Sequence, residues 1–461
     1  LAKKVGPMSV TKPLKERLSD IDSYYEGILL PSTQVNPSAV AAVRGEWAKS
    51  RGLVMRSQMN TVKLMKKSTN SGSPYFTKRR RVVDDTVPVR LTHTAGLSQQ
   101  VLDHDPHMWG ACAVLGWRGQ EGGPSASDVK QRVVWMFPFG VNIRELQVYQ
   151  PLIEAAQKFN LIPAWVSMDS VDKRITDLFD TKSDDDLVVC TDFSKFDQHF
   201  NRSLQDVAYQ LLSDIFTPSS EMDDWLRNVF PIKYDIPLAY DYGKLKFGNH
   251  GMGSGSGGTN ADETLAHRAL QYEAAISMGV KLNPNSQCLG DDGILSYPGI
   301  TVEDVVRSYT QHGLEMNDSK QYASTHDCTY LRRWHHKDYR VNGICVGVYS
   351  TCRALGRLRY LERYMDPEVW GPKTVALRQL SIIENVKYHP LKEQFAEFCM
   401  KRDKYRLGID IPNFLDNIEA EAKKVMDLMP DFMGYTKTLQ AEVGGIGISN
   451  WWIVKYLKSK K

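Results

Sequence analysis

The chain has 461 residues, 42% hydrophobic and 24% charged, which allows roughly two or three domain-sized units with a sizeable core and is ordinary for a soluble globular protein. Its 58 Lys+Arg against 54 Asp+Glu leave a net charge of +4. That total is too small to imply a nucleic-acid partner, so any electrostatic reading rests on local clusters. Seven cysteines (Cys112, Cys190, Cys288, Cys328, Cys345, Cys352 and Cys399) are odd in number and never spaced CxxC. This argues against a zinc site or disulfide framework and for a reducing, cytosolic compartment. No run of about 18 apolar residues marks a membrane-spanning helix. The sequence opens on Leu1 rather than Met, carries no signal-peptide pattern, and is expected to be trimmed at its start.

Residues 1–60 mix helical periodicity with Pro-containing breaks. The stretch 63–81 holds seven basic residues and no acidic ones: Lys63, Lys66, Lys67, Lys78, Arg79, Arg80 and Arg81. Inside it, Ser-Thr-Asn-Ser-Gly-Ser-Pro (68–74) is a loop by composition. A second loop, 121–127, precedes Lys130-Gln131-Arg132-Val133-Val134. Leu187-Val188-Val189-Cys190 predicts a buried strand. After Asp192-Phe193-Ser194-Lys195-Phe196-Asp197 comes a helix with Leu204, Val207, Ala208, Leu211, Leu212 and Ile215 on one face, stopped by Pro218. Residues 248–260 are rich in Gly and Ser and lead into a helix ending near Gly279. A hairpin is expected from 287–289 and 293–295 around Gly290-Asp291-Asp292. Thr301 with Asp304 caps a helix over 302–311, and Gly313 stops it. The last third, from about 346, is mostly helical in pattern. This order predicts an α+β class, with helices against a small antiparallel sheet.

Asp192 ends a strand, and Asp291 and Asp292 sit in a hairpin turn. Carboxylates on neighbouring strand ends can hold two hard cations a few Å apart. Such an arrangement serves in-line phosphoryl transfer, where positioning and charge stabilisation dominate. Alone, Gly-Asp-Asp reads as a solvated turn. Together with the Asp-x4-Asp of 192–197 and the Gly/Ser loop between them, it points to chemistry.

At this point the residues resemble the ordered motif set of viral RNA-dependent RNA polymerases. Asp192-Phe193-Ser194-Lys195-Phe196-Asp197 resembles motif A, Ser254-Gly255-Ser256-Gly257-Gly258-Thr259 motif B, and Gly290-Asp291-Asp292 motif C. Lys320 resembles the motif D lysine, and Tyr330-Leu331-Arg332-Arg333 is similar to motif E. Lys130-Gln131-Arg132-Val133-Val134 is similar to the end of motif F, and Thr69-Asn70-Ser71-Gly72-Ser73-Pro74-Tyr75 to the motif G loop. All seven stand in the family's order over 69–333. The wording of motifs A and B most resembles picobirnavirus polymerases, enzymes of segmented double-stranded RNA viruses.

The resemblance implies a closed right hand: an N-terminal extension (1–60), fingers (61–185 and 205–250), palm (186–204 and 251–345), and thumb with C-terminal tail (346–461). It implies template-directed RNA synthesis with Mg²⁺ or Mn²⁺ held by Asp192, Asp291 and Asp292. Lys320 would protonate the leaving pyrophosphate. Lys130, Arg132, Asp197, Ser254, Thr259 and Asn260 would bind the nucleotide. Thr69, Ser71, Gly72, Pro74, Lys78, Arg79, Arg80, Gly255, Arg332 and Arg333 would contact RNA. The glycines of motif B would let backbone approach the template and let the loop move. In many relatives an Asn nine residues after the motif B serine helps read the sugar. Here that position is Glu263, so the partner stays open among Asn260, Asp262 and Glu263. Trp451 and Trp452 are candidates for a stacking platform in unprimed initiation. Expected partners are template and nascent RNA, nucleoside triphosphates and a viral capsid protein. No membrane is expected, and the chain is expected to be a monomer in the virion interior and host cytoplasm.

Each role has an ordinary competing reading: a helix-start carboxylate for Asp197, a plain linker for 248–260, a charged strand edge for Lys130 and Arg132, a solvated lysine for Lys320, and a solvated face for 63–81. A reverse transcriptase would share the palm, but a bulky apolar residue would be expected at Asp197. An RNA-packaging protein would leave the spaced aspartates unexplained, and a nuclease would not need Asp197 with the motif B loop.

Overall fold

The computed structural model describes residues 3, 6, 10–120, 124–361, 365–426 and 447–461. Fourteen strands lie in four sheets among the described residues. β1 (Val89–Thr92), β2 (Gln99–Leu102) and β3 (Met108–Gly110) form an antiparallel meander. β4 (Ala113–Gln120) and β5 (Lys130–Met136) make a long antiparallel ribbon, extended by β7 (Leu238–Asp241) and β8 (Lys244–Lys246). β6 (Val188–Thr191), β9 (Gln287–Leu289), β10 (Asp292–Leu295) and β11 (Tyr322–Ser324) build the central sheet in the order β11-β6-β10-β9, with every pair antiparallel. β12 (Asp327–Tyr330), β13 (Arg333–His336) and β14 (Val348–Tyr349) form the last sheet.

The Val-Val-Cys-Thr run of β6 shows no polar alternation because both faces of its sheet are covered. Val188 and Cys190 pack with Ile294, Cys328 and the Val171, Ile175 and Leu178 stripe of helix Met168–Thr181. Val189 turns the other way, into a larger core shared with Leu265 and Ala269 of helix Thr259–Ser277 and with Val305 and Tyr309 of helix Val302–Thr310. The sheet is thus clamped between helices, and the strand ends that carry Asp192 and Asp291 reach solvent.

The expected α+β class is observed. Helix Arg202–Ile215 buries the six residues read from its periodicity, but it ends before Pro218, with Phe216 already extended. Helix Thr259–Ser277 stops ahead of the left-handed Gly279. Thr301 Oγ1 accepts from the Asp304 N–H at 3.1 Å, as its capping position predicts. The last third is helical around its own core, which includes Leu377, Leu380, Ile383, Phe395, Phe414 and Leu457. It opens, however, on β14, which the pattern did not suggest. The Trp452 ring stacks on Tyr456 at 5.4 Å and lies under Lys392, and the Trp452 backbone N–H donates to Glu384 Oε1. That ring is half-buried against the helical core.

Candidate active site

The β6–β10 register pairs Thr191 with Gly293. One step further along an antiparallel ladder sets Asp192 opposite Asp292. Asp292 also pairs with Leu289, so Gly290 and Asp291 form the two-residue turn between β9 and β10. Gly290 has φ 58°, the left-handed value such a turn asks of its first residue. Sequence motifs far apart are thereby brought to one edge of the sheet.

Asp192 and Asp291 are placed through main chain, and Asp292 through its carboxylate. Thr264 Oγ1 accepts the Gly290 N–H at 2.9 Å, and His267 Nδ1 donates to the Gly290 carbonyl at 2.8 Å. Gln271 Nε2 donates to the carbonyls of Gln287 and Ile294 on the flanking strands. Residues 264, 267 and 271 share one face of helix Thr259–Ser277. Gln321 clamps Asp192 by accepting its N–H at 2.7 Å and donating to its carbonyl at 2.9 Å. Lys320 adjoins that clamp and is exposed. Asp292 Oδ2 accepts the Leu331 N–H at 2.7 Å. Leu331 (φ 53°) and Arg332 (φ 63°) are the left-handed turn between β12 and β13, a strained backbone for non-glycine residues. Sequence reasoning missed these holders. For Thr264, His267 and Gln271 the signal is a row of polar residues at helical spacing on a buried face, and for Gln321 and Leu331 there is none.

The carboxylates crowd one another. Burial, reinforced by the Asp291 charge against the Leu331 N–H, pushes Asp292 up to about 7. Asp291 is raised by burial and by the Asp197 carboxylate, against the pull of Arg132. Glu263 is pushed well above the carboxylate range by burial and then by Asp197, which favours its neutral form. Its buried Oε1 has no hydrogen-bond partner. Asp262, by contrast, is saturated: Tyr149 and Tyr234 donate to it at 2.7 and 2.6 Å, and the fully buried Lys233 ammonium lies at 3.0 Å. It belongs to the packing behind the loop. Asn260 Oδ1 accepts from Trp165 Nε1.

This donor set fits a hard divalent cation, since mutually repelling carboxylates stand at adjoining strand ends. Among the described residues, no three potential ligands already converge into a closed cage. An open pair suits an ion that completes its shell with water and phosphate oxygens.

Arg132 projects from β5, exposed, and its charge reaches Asp291. Arg118 is its cross-strand neighbour on β4, and Lys130 starts β5. In the Gly/Ser loop, Ser254 Oγ accepts the Trp135 N–H at 3.1 Å, and Thr259 Oγ1 donates to the Gly253 carbonyl at 3.0 Å. A Cβ on Gly255 would lie 1.6 Å from the Trp135 oxygen, and one on Gly258 would lie 2.3 Å from the Tyr149 ring. These two glycines are therefore demanded by close approach to neighbouring protein.

The basic residues divide. Lys78 and Arg80 are exposed. Arg79, expected to contact RNA, turns inward. Its Nη2 donates to Asn142 Oδ1 at 2.7 Å, it lies over the Phe139 ring, and burial pulls its pKa down to about 10. Ser71 is buried and its carbonyl accepts the Phe139 N–H at 2.8 Å, Gly72 packs on Phe137, and the Thr69 carbonyl accepts the Arg79 N–H. Pro74 is half-buried in the same loop. Arg333, also expected on RNA, is buried and donates to both oxygens of Asp172 at 2.7 and 2.9 Å. Arg332, in the turn itself, is exposed and near enough to influence Asp292.

Residues 36–361 match the family described as viral RNA-dependent RNA polymerase. The chain belongs to that family. It is 63% identical over 466 residues to a potential RNA-dependent RNA polymerase of human picobirnavirus (strain Human/Thailand/Hy005102/-), a match covering 100% of this chain and 87% of that protein. The crystal structure of the RNA-dependent RNA polymerase of a human picobirnavirus superimposes with a TM-score of 0.93 at 63% identity, over 100% of this chain and 86% of that one. Its insertion-loop deletion mutant gives 0.92 at 61%, again over 100% and 86%. The polymerase therefore has the right-hand fold its motif order suggests, and it is an RNA-directed RNA polymerase acting on RNA and nucleoside triphosphates. No helix among its described residues is long and apolar enough to cross a membrane.

Proposed function

We propose that the polymerase extends RNA by attack of a terminal 3′-hydroxyl on the α-phosphate of a nucleoside triphosphate, releasing pyrophosphate, at the sheet edge formed by Asp192, Asp291 and Asp292. The β6–β10 register carries this reading, because it gathers the aspartates of two distant motifs. Asp192 and Asp291 would be the principal holders of two Mg²⁺ or Mn²⁺ ions. Asp292 would assist, one of its oxygens being taken by the Leu331 N–H. When bound, such ions lower the pKa of the attacking hydroxyl and offset charge on the entering and leaving oxygens.

The remaining roles follow from chemistry. Arg132 and Lys130 would hold the triphosphate, with Arg132 offering a fixed bidentate fork. Asp197 would accept from the ribose hydroxyls, and a deoxy sugar would leave it unpaired. Glu263 is the best-supported partner of Asp197, since it has an unpartnered buried oxygen and the Asp197 charge acts on it, whereas Asp262 is saturated. Asn260 lines the approach next to Gly290. Ser254 and Thr259 would serve the nascent base pair and sugar after the loop releases their present backbone partners. Lys320 would protonate pyrophosphate. Arg332 would support the primer strand, and Lys78 and Arg80 the template. In the hand, 61–185 with 205–250 would be fingers, 186–204 with 251–345 palm, and 346–461 thumb. The biological role would be viral genome replication and transcription by a monomer, alongside capsid protein in the virion interior and in the host cytoplasm.

The test is nucleotide incorporation on a heteropolymeric single-stranded RNA, with Mg²⁺ and with Mn²⁺, comparing ribo- with deoxyribonucleotides and wild type with Asp291→Ala. Template-dependent ribonucleotide product that vanishes in Asp291→Ala is expected. Product that persists in Asp291→Ala would remove that residue from the chemistry. Equal use of deoxyribonucleotides would remove Asp197 from sugar reading.

A further inference from the structure

Helix Phe139–Lys158 carries two buried polar residues one turn apart, Asn142 and Glu145, on a face lined by apolar neighbours. A buried carboxylate is expensive unless every oxygen is engaged. Glu145 meets that condition with donors taken largely from the Gly/Ser loop. Its Oε1 accepts the Gly257 N–H at 3.1 Å and Asn142 Nδ2 at 3.1 Å, and its Oε2 accepts from Ser256 Oγ. Ser256 Oγ in turn accepts the Gly258 N–H at 3.0 Å. Asn142 Nδ2 also donates to the Gly255 carbonyl at 3.1 Å, and its Oδ1 accepts from Arg79. Gly255, Ser256 and Gly257, three consecutive loop residues, are thus bonded to two side chains of one helix face. Ser254 is bonded to β5 immediately before them.

We propose that Asn142 and Glu145 are the positioning residues of the 254–258 loop, setting its place against β5, and that Arg79 ties the same pair to the basic segment 63–81. The inference rests on the reading that this loop serves the nascent base pair. It goes beyond that reading by assigning the loop's position to residues outside any motif. The loop cannot shift without breaking the Ser256 and Gly257 bonds to Glu145, so these bonds stand between the observed arrangement and any in which Ser254 leaves β5. Loop glycines supply no side chains of their own to fix a conformation, and the helix supplies them instead. Glu145→Gln keeps an acceptor oxygen but presents an amide that can only donate. One of the two loop donors then loses its acceptor.

The experiment uses the full chain on a preformed primer–template RNA and reads the maximal rate and KM of single-nucleotide addition, the RNA Kd and the melting temperature. Glu145→Ala and Ser256→Ala should each slow addition by about tenfold or more, with the RNA Kd within about twofold of wild type, as expected when a reacting geometry is loosened. Because they remove the same bond, the double variant should be no slower than the slower single. Glu145→Gln should fall between wild type and Glu145→Ala. Should Glu145→Ala fail to fold, Glu145→Gln and Ser256→Ala carry the same comparison. Folded variants with rates within about twofold of wild type, or losses that multiply in the double variant, overturn the proposal. Ser254→Ala separates the two readings. If it slows addition while the Glu145 and Ser256 variants do not, only the positioning role fails. If it too is without effect, the loop's role in nucleotide addition fails, and the positioning role with it.

Discussion

Thr264 offers the sharpest perturbation of how the Gly-Asp-Asp turn is held. Its Oγ1 accepts the N–H of Gly290, a buried residue whose carbonyl is separately bonded by His267. Thr264→Val keeps the side-chain volume and removes only the acceptor. A buried N–H left without a partner costs about 1–3 kcal/mol. That cost has two places to go. If the turn stays where it is, the chain loses about 1–3 kcal/mol of stability, read from the urea midpoint. If the turn moves to find water, Asp291 moves with it and the loss appears in the rate. At 1.36 kcal/mol per tenfold, the same free energy is a slowing of about 5- to 150-fold. Single-nucleotide addition and urea unfolding on the same preparations therefore give two numbers whose free energies should sum to that range. Thr264→Ser, which restores the hydroxyl, should recover most of both. A Thr264→Val variant unchanged in rate and in midpoint would refute the claim that this bond places the Gly290-Asp291 turn.

Two further outcomes are expected. Lys78→Ala and Arg80→Ala should each reduce the salt slope of RNA binding by about one, with melting unchanged. Arg79→Ala should instead destabilise the fold by about 1–3 kcal/mol, because Asn142 Oδ1 loses its donor; equal effects from all three on RNA binding alone would contradict the inward placement of Arg79. The second outcome concerns His335, which donates from Nδ1 to the Cys345 carbonyl and is held down to about 4 by burial. Its folded pKa lies below the unfolded value of about 6.5, so the unfolded chain gains a proton first, and stability is lost as pH falls from about 6.5 toward 4. Asp292 and Glu263, raised on folding, act in the opposite direction, so the comparison is between two proteins. Between pH 7 and 5, His335→Gln should change less unfavourably than wild type by about 2 kcal/mol. Identical pH profiles would mean that His335 is not buried as a neutral ring.

The candidate carboxylates could be picked out in the sequence because their signals are local. A buried-strand run ending in Asp192 and a turn composition around Asp291 can each be read within ten residues or so. What was not legible depended on which way a side chain faces after distant elements meet. Lys78, Arg79 and Arg80 are chemically alike in a row, yet Asn142, far along the chain, captures only the middle one. Arg332 and Arg333 are adjacent, and only the β12–β13 register sends one outward and the other onto Asp172. Asp262 and Glu263 are likewise neighbours on one helix, separated into a packing carboxylate and a site-facing acid by the positions of Tyr149, Tyr234 and Asp197. Composition misled in a different manner at the motif B loop. A run of glycines reads equally as freedom or as close approach, and at Gly255 and Gly258 it is close approach.

The three aspartates share a construction that explains why their supports are so scattered. Gly290 beside Asp291 is gripped from helix Thr259–Ser277, the Asp192 main chain from Gln321, and Asp292 from the Leu331 turn. Two of these three grips act on backbone, leaving the carboxylates of Asp192 and Asp291 uncommitted by the groups that place them. A side chain used as its own anchor spends its hydrogen-bonding capacity on the protein. One carried on a fixed backbone keeps that capacity for a ligand, at the expense of recruiting polar groups from elsewhere in the chain. That division accounts for the polar residues found at helical spacing where the surrounding pattern is apolar: Thr264, His267 and Gln271 behind the Gly290-Asp291 turn, and Asn142 and Glu145 behind the loop. Each set looks out of place in its own helix and acquires its reason only from the neighbouring element whose main chain it holds.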